Sequence, residues 1–112
     1  MVRSYADFAL LCKALSDETR LQIIDMLSCG ELCACDILKP FHITQPTLSY
    51  HMKILSECGI VNADRRGAWM HYTINDDMIK RISEYWKHLT SDKENCICRT
   101  CSEKSDECDC EE

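Results

Sequence analysis

Residues 31 to 38 read ELCACDIL, which sets Cys33 and Cys35 one residue apart between the carboxylates of Glu31 and Asp36. A second group of thiols, Cys96, Cys98, Cys101, Cys108 and Cys110, crowds the final stretch TSDKENCICRTCSEKSDECDCEE. Thiolate sulfur is a soft ligand and selects soft ions over hard ones. Cys98-x-x-Cys101 also has the spacing of a metal chelate. For the tail cysteines we favour a second soft-metal or metalloid site; a donor of additional sulfur to Cys33 and Cys35, or incidental thiols in an acidic tail, are the competing readings.

The ten cysteines of this 112-residue chain would suggest a disulfide scaffold in a secreted protein. The first residues, MVRSYADFALLCKAL, interleave charges with apolar side chains, unlike a secretory leader. No apolar run approaches the roughly 18 residues of a membrane span. A cytoplasmic protein with reduced thiols and no membrane attachment is therefore expected. Cys12, Cys29 and Cys58 stand singly in apolar helical patterns and are expected to act as small core hydrophobes.

The formal net charge is −6, but residues 91–112 hold eight of the 19 acidic residues and only three of the 13 basic ones. The remaining body is nearly neutral, so a local basic edge can still bind phosphate. The sequence offers no nucleophile with a plausible base partner, no phosphate loop and no carboxylate pair in an apolar setting, so an enzyme is not expected.

The elements that must position these residues follow from periodicity and punctuation. SYADFALLCKALS carries an apolar stripe at Phe8, Leu11, Cys12 and Leu15 with Ser4 as a cap. SDETRLQIIDMLSCG starts at the cap-type Ser16 and Asp17, repeats apolar residues at Leu21, Ile24, Met26 and Leu27, and ends at Gly30. CACDILKPF reads as a short third helix stopped by Pro40. TQPTLSYHMKILSECG reads as a fourth, capped by Thr44 and closed by Gly59, with Leu48, Met52 and Leu55 inward. GIVNADRRGAWMHYTIN reads as a hairpin with its tip at Arg65 to Gly67, and DMIKRISEYWKHL as a last helix whose apolar surplus suggests a partner subunit.

Four helices, a two-stranded hairpin and a final helix make a winged helix-turn-helix, mainly α with a small β-hairpin. It spans residues 1–90 as a dimeric DNA-binding unit, and residues 91–112 form an acidic, cysteine-rich tail expected to be disordered unless something organises it. In this arrangement the fourth helix enters the major groove of double-stranded DNA and the hairpin tip reaches the backbone. Gln45, Thr47, Ser49, Tyr50, His51 and Lys53 are the candidate DNA contacts on that helix, with Arg65 and Arg66 on the wing.

At SDETRL, ELCACD, TQPTLSYHMKIL and RRGAWMHYTI, roughly over residues 5–90, the sequence resembles the ArsR/SmtB family of metal-sensing winged-helix repressors, and within it the arsenical-resistance branch. The resemblance implies a homodimer joined through the first and last helices. It also implies release from operator DNA when trivalent arsenic or antimony binds Cys33 and Cys35, with no organic cofactor. It carries the recognition-helix role onto Thr44 to about Cys58 and the wing tip onto Arg65 to Gly67.

Three departures stand out. Leu38 occupies a position where many relatives carry a third cysteine, and Tyr50 one where a basic residue often precedes the histidine. Aligned on His88, the zinc-sensing branch's remaining ligand positions hold Asn75, Asp77 and Ser91, so that zinc site is not expected and His88 reads as a surface or interface histidine. Alternative functions are a DNA-binding regulator triggered by thiol oxidation or by cadmium at the tail, and a metal-buffering protein.

The chelating geometry poses a local problem. Residues two apart on a regular helix point to different sides. Cys33 and Cys35 can therefore share one ion only if they sit at an extended entry to the third helix or if its first turn unwinds.

Overall fold

A computed structural model describes residues 2–91; the tail cysteines and most of the expected tail lie outside the described residues. Helix α1 (Tyr5–Leu15) is capped by Ser4, whose Oγ accepts from the Asp7 amide at 3.2 Å. Helix α2 (Glu18–Leu27) is capped by Asp17, whose carboxylate accepts from the Arg20 amide at 3.1 Å. After Gly30, at φ +133°, come strand β1 (Leu32–Cys33) and helix α3 (Ala34–Leu38).

Helix α4 (Gln45–Glu57) has Thr44 as its cap and a proline in its first turn. Strands β2 (Val61–Arg66) and β3 (Trp69–Ile74) form the hairpin, and helix α5 (Asp76–Thr90) starts at an Asn75 cap whose Oδ1 accepts from the Met78 amide at 3.3 Å. Each cap satisfies an amide that the first helical turn leaves without a partner.

Ile23, Leu27, Ile37, Leu48, Met52, Leu55 and Ile60 are almost completely buried and form the centre of the core, with Leu11, Val61, Tyr72 and Met78 around them. The residues Leu48, Met52 and Leu55 seat α4 on α2 and the sheet, which fixes its outer surface. Each such side chain contributes about 1.5–3 kcal/mol through burial. Among the described residues no helix is long and apolar enough to cross a membrane.

The structure departs from the sequence reading in four places. The wing is a three-stranded antiparallel sheet in the order β1-β3-β2 rather than a two-stranded hairpin, because Leu32 pairs with Tyr72 and Cys33 with His71. The third helix is shorter than expected, since Cys33 is extended at φ −85°, ψ 161° and belongs to the strand. In α2 the buried pair is Ile23 and Leu27, while Leu21 is half exposed. Of the three singly placed cysteines, Cys12 and Cys29 are exposed and Cys58 is partly buried. The buried stripe of α1 runs through Phe8, Leu11 and Ala14, which turns Cys12 outward, and Cys29 lies beyond the last turn of α2.

Candidate functional site: a thiol pair beside a polar helix face

Cys33 occupies the N-cap position of α3 and Cys35 its first turn. Because Cys33 is extended rather than helical, the two side chains converge despite their i, i+2 spacing: their Cα atoms are 5.4 Å apart and their sulfurs are in contact. The strand-to-helix junction thus brings the two sulfurs together through an extended entry to α3, one of the two ways in which the i, i+2 spacing allows a shared ion. The Asp36 carboxylate completes a cluster in which one ligand atom from each of Cys33, Cys35 and Asp36 lies within 4.8 Å of the others. Asp36 Oδ2 is 3.4 Å from Cys33 Sγ, and its Oδ1 accepts from Lys39 Nζ at 3.1 Å. Two sulfurs on one rigid junction suit a soft ion.

Glu31, just ahead of β1, accepts two parallel hydrogen bonds from Arg66, from Nη1 at 2.8 Å and Nη2 at 2.9 Å. Arg66 Nε also donates to Asp64 at 2.9 Å, and His71 Nδ1 lies 3.3 Å from Glu31. The hydrogen bonds that Arg66 donates to Glu31 and, next, to Asp64 raise the pKa of its guanidinium above the ordinary value. Sequence reasoning placed Arg66 at the wing tip but missed its tie to Glu31, which spans 35 residues and has no local signature.

On α4, Gln45, Thr47, Ser49, Tyr50 and Lys53 are all exposed on the outer surface, and Arg65 is exposed on the wing. Thr47 Oγ1 is 3.0 Å from Thr44 Oγ1 at the helix start. His51 is placed differently. Its side chain is only 12% exposed, Arg20 Nη1 lies 3.0 Å from its Nδ1, and the Asp17 carboxylate is 3.9 Å away. His51 faces the α1–α2 junction rather than the open surface, and its position three residues after Leu48 and four before Leu55 is the sequence signal for this inward face. His88 is exposed near the end of α5, with its ring 6.1 Å from that of Tyr85.

A helix with a polar outer surface, set on a small helical core and flanked by a β-hairpin, defines a winged helix-turn-helix regulator. Residues 17–63 match the family model for bacterial regulatory proteins of the arsR family. Over 105 residues the chain is 40% identical to an arsenical resistance operon repressor of Staphylococcus xylosus, covering 94% of this chain and 99% of that protein. The chain belongs to the arsR family. Among solved structures it is similar to HlyU from Vibrio cholerae, at 30% identity and a TM-score of 0.64 over 80% of this chain and 98% of that one. It is also similar to the homodimeric winged helix-turn-helix DNA-binding domain of a possible ArsR-family regulator from Mycobacterium bovis, at 27% identity and a TM-score of 0.62 over 79% of this chain and 89% of that one.

Proposed function

We propose that the protein is a metalloid-responsive transcriptional repressor that binds operator DNA as a homodimer and is released when trivalent arsenic or antimony binds Cys33 and Cys35. The observation that carries this reading is the convergence of the two sulfurs at the strand-to-helix junction ahead of α4. The similarity to named arsenical resistance operon repressors supports the choice of inducer.

The chemistry needs only the chain's thiols and the inducer. Each thiol replaces one hydroxide of arsenous acid: an arsenic–oxygen bond breaks, an arsenic–sulfur bond forms, and the thiol proton leaves with the hydroxide as water. To shift operator occupancy from 99:1 to 1:99, the inducer must favour the released state by about 5.5 kcal/mol. Two covalent arsenic–sulfur bonds are of the right order for that task.

Operator contacts are assigned to Gln45, Thr47, Ser49, Tyr50 and Lys53, with Arg65 and Arg66 on the backbone; His51 supports the helix from behind. Dimerisation through α1 and α5 is supported by Tyr5, Leu10 and Trp86, large apolar residues exposed on those two helices. The homodimeric solved structure supports dimerisation itself. The tail cysteines Cys96, Cys98, Cys101, Cys108 and Cys110 are assigned to a second soft-metal site.

One observation favours a second reading. The sulfurs of Cys33 and Cys35 are in contact, so an external oxidant such as a peroxide, taking two electrons and two protons from the thiols, would close a disulfide between them and be the trigger. Fluorescence anisotropy of promoter DNA separates the two. With the reduced protein under anaerobic conditions, arsenite releases the DNA under the first reading; only an added oxidant does so under the second.

A further inference from the structure

The geometry points to Glu31 as a coupling residue that carries the state of the thiol pair to the wing by competing with DNA phosphate for Arg66. This rests on the repressor reading above and names a device within it. Glu31 lies two residues before Cys33, and the intervening backbone is locked to the wing by the pairing of Leu32 with Tyr72 and of Cys33 with His71. A displacement of Cys33 that accommodates an inducer strains these two pairs and so reaches Glu31, the residue just ahead of the strand, and its contact with Arg66 on β2.

The bidentate contact of Arg66 with Glu31 has the same fork geometry with which a guanidinium holds a phosphate. With Asp64 on Nε, the Arg66 donors are turned toward protein carboxylates. A phosphate can engage Arg66 fully only by displacing Glu31. A carboxylate in this position is thus a surrogate for the DNA backbone. The chain with its sulfurs together, as seen here, is also the chain with Arg66 occupied.

The pair is part exposed, with side-chain exposures of 54% for Arg66 and 37% for Glu31. A modest effect on DNA affinity is therefore expected, roughly two- to five-fold, as for other exposed ion pairs. The test is anisotropy of promoter DNA with full-length wild type, Glu31→Gln, Arg66→Gln and the double variant, each with and without arsenite. Arsenic loading of each variant is read separately by mass spectrometry of the intact protein.

Without arsenite, Glu31→Gln should bind DNA more tightly than wild type, and the same substitution should have no effect in the Arg66→Gln background. That second arm excludes a mere loss of negative charge near DNA. With arsenite, Glu31→Gln should load arsenic as wild type does yet show a smaller ratio of bound to released affinity. Equal tightening in both backgrounds would overturn the proposal, as would an undiminished release ratio. If arsenite fails to release wild type at all, the repressor reading fails, while the arsenite-free arms still decide whether Glu31 and phosphate share Arg66.

Discussion

Arg20 places Nη1 3.0 Å from Nδ1 of His51 while its Nε donates to the carbonyl of Ala14 at 2.6 Å. One guanidinium thereby ties the end of α1 and the start of α2 to the middle of α4. The outer surface of α4 is held at a fixed angle by this polar clamp as well as by Leu48, Met52 and Leu55 beneath it.

His51→Ala should lower stability by about 1 kcal/mol, the usual net value of a hydrogen bond at this degree of burial. It should weaken binding to operator and unrelated DNA by similar factors. Urea unfolding and anisotropy on both DNAs check this. Unchanged stability with relaxed sequence preference would mean that His51 reads a base.

Asp17 supplies the acid sensitivity of the same junction. The Arg20 backbone amide, donating to its carboxylate, lowers its pKa below the usual carboxylate range; desolvation opposes this, and the charges of Arg20 and His51 reinforce it. A carboxylate depressed in the folded state stabilises the fold above its unfolded pKa, and that contribution is lost as pH falls through the lower folded value. The thermal midpoint of wild type should therefore fall more steeply than that of Asp17→Asn as the pH is lowered through the acid range. Parallel curves would contradict the assignment.

Gly59 sits at φ +87° between α4 and β2, and a Cβ built there meets Met78 Cε at 3.0 Å. Its carbonyl also accepts from Asn75 Nδ2 at 2.9 Å, joining the α4 exit to the α5 cap. Gly59→Ala should cost about 1–2 kcal/mol from the left-handed backbone alone. Denaturant unfolding gives the value directly, and a loss below a few tenths of a kcal/mol would show that the turn relaxes freely.

Arg65 is exposed on the wing, and its Nη1 donates a long hydrogen bond of 3.5 Å to the Gly67 carbonyl. Arg65→Gln should weaken DNA binding uniformly across sequences and lower the salt slope by about one per protomer, the signature of a lost phosphate contact. A salt slope equal to that of wild type would remove Arg65 from the interface.

Much of this architecture was legible because it is local. Ser4, Asp17 and Thr44 cap the helices they precede, and Gly30, Gly59 and Gly67 take the positive φ angles their turns require. The inward row of α4 follows from helical periodicity alone. What escaped is set by contacts distant in sequence. A two-residue strand at Leu32 and Cys33 exists only because β3 is there to pair with it, and the partner of Glu31 is 35 residues away. The outward turn of Cys12 follows from which side of α1 meets the core, which a stripe including both Leu11 and Cys12 does not decide.

The sharpest test of the sensor assignment compares three proteins on promoter DNA by anisotropy during an arsenite titration: wild type, Cys33→Ser/Cys35→Ser, and a chain ending at Asn95. Arsenite should release wild type and the shortened chain and leave the double variant bound. A double variant that still releases, beside a shortened chain that does not, would place the sensor in the C-terminal cysteines and contradict the account.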